Sequence, residues 1–394
     1  MALLPAIIIA RAWTVVIWGQ NDYGQCNVPP PNEDFIAIAG GYQHSLAVRS
    51  DGTMIGWGWN PYGQCDAPQP NEGFASAGAG YYHSVGLKDD GTVVAWGWGA
   101  WGQCDIPSPN ADFTAIAAGG YHNLGLKSDG RVVSWGYNYD GQCDVPSPNT
   151  GFAAVSAGYY HSVCLKDDGR VLAWGFNDYA QCDVPSPNAD FVAVAAGYQH
   201  SLGVKADGSV VAWGSNDFGQ CDVPEPNQDF VAVAAGYYHS IGLRSDGSVA
   251  AWGRNDYGQC NSPSPNTGFV AVAGGEQRSL GIKVLTVGGI GDHYPTAGLL
   301  EPMLDIRSVQ PNPFYGPTTV SFVAKEPVKA NLVVYDVRGR QINQISLGGF
   351  EPGPHRLEWD GSSSSGERVP SGVYFIQLRS AKGVSHPAKA IAVR

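Results

Sequence analysis

Phe191-Val-Ala-Val-Ala-Ala-Gly197-Tyr-Gln-His200-Ser-Leu-Gly-Val-Lys-Ala-Asp207-Gly208-Ser-Val-Val-Ala-Trp213-Gly214-Ser-Asn-Asp-Phe-Gly-Gln-Cys221-Asp-Val-Pro224 is one copy of the unit that decides the fold. Its apolar residues alternate or run in short β-branched stretches, and no stretch holds a helical period for long. Asp207-Gly208 lies between two such runs, and Asp and Gly tolerate the positive φ that a tight hairpin needs. The same Asp-Gly pair stands at Asp51, Asp90, Asp129, Asp168 and Asp246. One copy therefore predicts three to four short antiparallel strands.

Outward from this copy, Trp-Gly recurs at Trp18, Trp57, Trp96, Trp135, Trp174, Trp213 and Trp252, always 39 residues apart. Seven copies without an insertion or deletion mean one small structural unit repeated seven times. Repeated small sheets around an axis make a β-propeller, one blade per repeat. The ends of the array support a closed ring. The last copy stops at Lys283 without its Asp-Gly and Trp-Gly half, and the first begins with Thr14-Val-Val-Ile-Trp18 without its Phe and His-Ser half. The two halves complete one another, so the N-terminal strand is expected to pair into the last blade and remove an exposed sheet edge.

The string Ala-Ala-Gly-Tyr-Gln-His-Ser-Leu, followed by Lys-x-Asp-Gly-x-Val-Val-Ala-Trp-Gly and Gly-Gln-Cys-Asp-Val-Pro, resembles the regulator-of-chromosome-condensation repeat over about residues 13–283. That family forms seven-bladed propellers. The short repeat and its Gly-Gln-x-x-Val-Pro ending are most similar to the bacterial propeller that inhibits β-lactamases, a binder without catalytic activity. The eukaryotic branch exchanges nucleotide on a small GTPase. A second resemblance covers residues 305–394, through Gln310-Pro-Asn-Pro-Phe314, Val334-Tyr-Asp-Val-Arg-Gly339, His355-Arg-Leu-Glu-Trp359-Asp-Gly361 and Ser371-Gly-Val-Tyr-Phe375. It looks like the immunoglobulin-like C-terminal domain of exported Gram-negative proteins, whose relatives are type IX sorting domains and the flagellar hook-capping domain. Alone, its short runs between Gly, Pro and Ser clusters also read as a β-sandwich.

The expected organisation is an all-β chain with a seven-bladed propeller at 13–283, a Gly-containing linker at 284–304 and an immunoglobulin-like domain at 305–394. Residues 1–12 resemble the end of a secretory signal peptide, with an apolar run and Ala10-Arg11-Ala12 as a cleavage pattern. The apolar run is too short to span a membrane. Export to the surface or medium of a Gram-negative bacterium is the expected location.

Charge is unevenly divided. The net charge is −12; residues 305–394 carry +4 and the rest −16. An acidic propeller repels phosphate backbones, which excludes nucleic-acid binding as a reading.

Two repeating chemistries tempt a catalytic or metal reading. Histidine recurs at 44, 83, 122, 161, 200 and 239, with Arg278 in the seventh slot. Ligands of one metal must converge, and a seven-fold ring spreads them, so a structural histidine bonded to a neighbouring backbone is expected. Cysteine recurs at 26, 65, 104, 143, 182, 221 and 260, with Cys164 in addition. Equivalent positions on adjacent blades diverge beyond disulfide reach. Deeply buried free thiols are expected, with Cys164 filling core space where other copies have Gly or Ala. Asn21, Asn177 and Asn255 lie in Asn-Asp-Tyr turns that lack the ligand count of a calcium loop. No nucleophile–base pair breaks the symmetry. Neither a cofactor nor an enzymatic activity is expected.

Function is expected where the copies differ. The Asp-Gly turns and Ser-Pro-Asn loops collect on one face, nearly the same in every copy. The other face collects the loops before each histidine and after each Trp-Gly, and these diverge. Trp59, Trp98, Trp101, Tyr137, Tyr139, Phe176, Tyr82, Tyr121 and Tyr160 give it a run of rings on consecutive blades, whereas Gln20, Ser215 and Arg254 make a polar remainder. Tyr and Trp dominate binding hot spots. The rings of the irregular position, such as Trp98, are expected at loop tips as contacts; the regular Tyr or Phe before Gly-Gln is expected to pack between blades. A monomeric propeller that recognises a protein partner is the leading expectation. Carbohydrate binding is the alternative, and nucleotide exchange or hydrolysis a third.

Overall fold

The computed structural model describes residues 13–284, 304–310, 316–336, 341–369, 372–380, 383–384 and 388–392. The signal-like segment 1–12 and almost all of the 284–304 linker lie outside these residues. The chain divides into two compact units, Met1–Ile290 and Gly291–Arg394.

The first unit consists of seven antiparallel three-stranded sheets. In the blade built from the quoted copy the strands are Phe191–Ala196, His200–Lys205 and Val210–Gly214. Three strands suffice because the fourth element of the repeat, the long loop after Trp-Gly, travels back along the blade without pairing. The last blade is Phe269–Gly274 and Arg278–Val284, completed by Trp13–Gly19. Trp13 lies opposite Val284 and Gly19 opposite Arg278, a full antiparallel ladder between the two ends of the array. The complementary half-copies thus close the ring.

Backbone hydrogen bonds run around the inner strands. Tyr42 N–H donates to Gly80 C=O (3.1 Å), Tyr81 N–H to Gly120 C=O (3.0 Å), and so on to Tyr237 N–H on Glu276 C=O (3.1 Å). Glu276 N–H then donates back to Gly41 C=O (3.3 Å), from the seventh blade to the first.

Each inter-blade core follows from the alternation along the strands. Leu202, Val204 and Val210 of one blade pack with Phe230 and Trp252 of the next. The middle strand often carries Gly beneath the phenyl ring: a Cβ on Gly203 would fall 2.5 Å from Phe191. At the equivalent place Cys164 is fully buried among Phe152, Leu124 and Trp174, the core-filling role expected of it.

The 39-residue period is held by a buried glutamine that the sequence did not single out. The carbonyl of Gln25 accepts from Ser45 Oγ (2.9 Å) and Trp57 Nε1 (3.0 Å), and the pattern repeats at Gln64 with Ser84 and Trp96. Asn71 forms a second clip, accepting from Met54 N–H and donating to Met54 C=O, both at 2.8 Å. The Ser-Pro-Asn loop is thereby fastened beside the Asp-Gly turn on one face.

The second unit has a sheet of Leu304–Gln310, Thr318–Ala324 and Gly353–Trp359, and another of Val328–Asp336, Gln341–Phe350, Gly372–Ser380, Gly383–Val384 and Ala388–Ala392. Phe322, Leu332, Val334, Trp359, Ile376 and Leu378 form its core. Trp359 is fully buried, with its indole N–H on Ser362 C=O at 2.9 Å. No helix among the described residues is long and apolar enough to cross a membrane.

Candidate functional site: the aromatic face of the ring

The loop before each histidine and the loop after each Trp-Gly meet on one face, because the N–H following Trp-Gly donates to the residue before the histidine. Trp98 N–H reaches Tyr82 C=O at 2.9 Å, and Tyr137 N–H reaches Tyr121 C=O at 2.9 Å. Each Asn-Asp-Tyr turn is shaped by its own side chains. Asn177 Oδ1 accepts from Cys182 N–H (2.8 Å), its Nδ2 donates to Asp183 (2.9 Å), and Gln181 Oε1 accepts from Tyr179 N–H (3.0 Å). This is turn chemistry, as expected.

The rings of this face lie at different depths. Over the axis sit Tyr42, Tyr81, Tyr159, Tyr198 and Tyr237. Tyr42 stacks on Tyr81 at 3.9 Å, and Tyr81 meets Tyr237 from the far side of the ring at 6.3 Å. Gly120 fills the third blade's slot, where a Cβ would fall 2.7 Å from the Tyr159 carbonyl. Sequence reasoning did not single out these tyrosines as an axial plug.

Outside the plug runs an unbroken arc. Tyr23 meets Trp59 (6.5 Å), Trp59 meets Tyr62 (5.5 Å), and Tyr62 meets Trp98 (6.4 Å). The arc continues through Trp98–Trp101 (6.3 Å), Trp101–Tyr137 (5.4 Å) and Tyr137–Tyr160 (5.8 Å). It ends with Tyr160–Phe176 (6.3 Å) and Phe176–Tyr179 (6.2 Å). Tyr82 and Tyr121 support it from below, 6.2 and 5.6 Å from Trp98. Tyr139 stands on Tyr137 and is 85% exposed. The structure thus brings all nine sequence-selected rings together.

Their expected depths are reversed. Trp59, Trp98, Tyr137 and Phe176 are half-buried within the arc. The regular position points outward instead: Tyr62 is 47% and Trp101 52% exposed. The regular ring reaches toward the next loop, as Tyr62 does to Trp98 (6.4 Å) and Trp101 to Tyr137 (5.4 Å), and leaves its outer side in solvent.

The remaining sector contains the seam of the ring and mixes polar groups with the exposed rings of Phe218 and Tyr257. Gln20 N–H donates to Gln277 C=O (2.9 Å), Gln20 Nε2 to Asp22 (2.7 Å) and Gln277 Nε2 to Glu276 Oε1 (3.2 Å). Ser215 is buried, and Arg254 pairs with Asp256 at 2.6 Å while lying over Phe218. Burial pushes the Glu276 carboxyl up to about 7, opposed by the Gln277 hydrogen bond and by Arg278. A carboxyl raised in the folded state favours folding below its unfolded value and loses that benefit as pH rises. Glu276→Gln is therefore expected to stabilise the propeller by on the order of 2 kcal/mol at pH 8 and to change little at pH 4. Urea unfolding at the two pH values measures this; an equal effect at both would show a packing change instead.

The histidines belong to the scaffold. His44 Nε2 meets Ser84 Oγ (3.0 Å), and His83 Nε2 meets Asn123 Oδ1 (2.8 Å). His122, His161, His200 and His239 each bond the serine of the next blade at 3.0 Å. Arg278 completes the circle on Ser45 Oγ (3.3 Å), Tyr42 C=O and His44 C=O. The expected partner was neighbouring backbone; for the histidines it is a side chain on the next blade. Each serine spends its proton on a glutamine carbonyl, so histidine Nε2 carries the donated hydrogen and Nδ1 is an unbonded acceptor.

The repeat cysteines are half-buried rather than deeply buried, and they are free thiols. Each S–H faces the carbonyl after its Trp-Gly, as Cys182 does at 3.4 Å from Phe176 C=O. Burial pushes the Cys182 thiol up to about 12, which leaves it protonated and unreactive. Among the described residues, no group of three His, Cys, Asp or Glu side chains could hold a metal ion.

Fold and site together define a repeat propeller that presents one aromatic face. The chain carries six regulator of chromosome condensation (RCC1) repeats, at 35–64, 74–103, 113–142, 152–181, 191–220 and 230–259, and an FlgD Ig-like domain at 314–383. The seventh blade is divided between the two ends of the array, so no linear repeat spans it. Prp20p of Saccharomyces cerevisiae, whose crystal structure was described with its binding to Gsp1p and histones, is similar over 71% of this chain and 93% of its own, at 18% identity and a TM-score of 0.59. Human WBSCR16 is similar over 69% and 99%, at 18% identity and 0.56. The ectodomain of the Physcomitrella patens receptor kinase CR4 is similar over 60% and 66%, at 24% identity and 0.51. These likenesses are likenesses of fold. No curated protein sequence matches the chain significantly.

Proposed function

We propose that the chain is an exported binding module that docks a protein partner on the aromatic arc and acts by binding rather than catalysis. The observation that carries this reading is the arc itself. Contiguous rings from Tyr23 to Tyr179 cross five consecutive loops, and Tyr62, Trp101 and Tyr139 offer large exposed areas on a rigid base. Such rings give contact area at low entropic cost, and an exposed aromatic patch on a soluble domain marks an interaction site. The FlgD Ig-like domain supports a role for the tail in export or surface attachment.

The test uses proteins secreted by the native host, captured on immobilised full-length chain. Trp101→Ala is expected to weaken capture of a specific protein by about 2 kcal/mol, as for a hot-spot aromatic, with an unchanged melting temperature. Asp129→Asn on the opposite face is expected to leave capture unchanged. Equal capture by both variants would place recognition elsewhere. Discrete glycan binding that Trp101→Ala abolishes would make the face a sugar platform.

A further inference from the structure

Carboxylates lie on both faces of the propeller, but its cations are sorted to one, which indicates what kind of partner the arc takes. The seven loops after Trp-Gly hold ten aspartates and a single cation, Arg254. Asp22, Asp66, Asp105, Asp178 and Asp217 are exposed beside the rings, and Arg254 is already paired with Asp256. Every lysine of the propeller lies at the opposite end of the blades. Lys88, Lys127, Lys166 and Lys205 fold over phenyl rings 3.5–3.8 Å away and donate to backbone carbonyls of the Pro-Asn loops. Arg131 and Arg170 are tied to Asp129 and Asp168. The aromatic face therefore presents electron-rich rings inside an acidic border, with almost no cation of its own.

We propose that the partner is a basic protein surface, with arginine or lysine side chains laid on the exposed rings and their charged ends toward the aspartate border. Cations sit favourably over Trp and Tyr faces, and complementary charge speeds docking and excludes acidic competitors. An acidic partner would meet the border with like charge. This inference rests on the docking role of the arc and adds the chemistry of what docks.

The probe is a blocked peptide of alternating arginine and serine, titrated into the full-length chain at about 150 mM salt, where charges further than about 8 Å from the peptide are screened. Tryptophan fluorescence reports binding. Asp105→Asn, Asp178→Asn and Asp217→Asn together remove carboxylates of the border. Asp51→Asn, Asp90→Asn and Asp207→Asn together remove as much charge from the opposite face, keeping a side-chain oxygen for each turn. The first triple is expected to weaken binding at least about tenfold and the second less than about twofold. Melting curves check that both triples fold; if the first does not, Asp105→Asn alone is expected to weaken binding about twofold to threefold. Equal losses in both triples, or no binding by the unaltered chain, would overturn the inference. It fails separately from the docking role: protein capture lost in Trp101→Ala without arginine-peptide binding sinks only the charge assignment.

Discussion

Lowering the pH from 7 to 5 is expected to unfold the propeller. Six histidines are fully buried, and burial holds His44, His122, His161 and His239 down to about 3, and His83 and His200 to about 4. In the unfolded chain each returns to about 6.5. A base held down in the folded state stabilises it above the unfolded value, and that stability is lost as pH falls toward the folded value. At pH 5 each histidine then costs roughly 2 kcal/mol, and six cost on the order of 10 kcal/mol, comparable to the whole stability of an ordinary domain. Glu276 works in the opposite direction, but as a single group. The aspartates of the Asp-Gly turns, such as Asp129, are held below the usual carboxylate range by hydrogen bonds and act only at lower pH. Urea midpoints taken between pH 8 and pH 5 measure the effect. His161→Gln should flatten the pH dependence by about one proton. A midpoint that does not move would mean the histidine ring tolerates charge.

Deleting residues 1–19 is expected to be equally severe. The strand Trp13–Gly19 supplies a seven-residue ladder to Arg278–Val284 and buries Val15 against Phe35 and Ile282. Asn32 clips onto Val15 through bonds of 2.8 and 2.9 Å. Lost hydrophobic contacts and hydrogen bonds together amount to roughly 5 kcal/mol or more. For a unit of this size the melting temperature should fall by about 10 °C or more. The freed outer edge of Arg278–Val284 is also a template for pairing with another chain. Calorimetry with light scattering should therefore show earlier unfolding and self-association. An unchanged transition would mean the ring does not depend on this closure.

The blade count, the hairpins and the joining of Thr14–Trp18 to the last copy were legible because a fixed period carries them. The structural role of the histidines was legible from symmetry alone, since equal residues on a ring cannot converge on one ligand. Their serine and asparagine partners were not, because a contact between blades links residues 40 apart and leaves no local pattern. The buried glutamines were overlooked for a related reason. Gln25 reads as an exposed turn residue, and its depth comes from the next blade closing over it.

At the candidate site the gathering of the two variable loops on one face was legible in the sequence, but the depth of each ring was not. Trp98 and Trp101 are three residues apart with the same chemistry, yet Trp98 wedges against Tyr82 and Tyr121 while Trp101 stands half out of the surface. Contacts with rings of neighbouring loops decide between them, and those contacts exist only in the assembled ring. Arg278 was visible as a departure from the repeat, but the seam it shares with Glu276 depends on the first and last copies becoming neighbours.

The central claim is that the aromatic face is where this chain meets a protein. Its most direct test places a photo-crosslinking amino acid at position 101, at position 139 and, on the opposite face, at position 129, in otherwise unaltered full-length chains exposed to the native secreted proteins. The account predicts one and the same protein joined at positions 101 and 139, and none at 129. Crosslinks at 129 equal to those at 101, or none from either position on the arc, would contradict it.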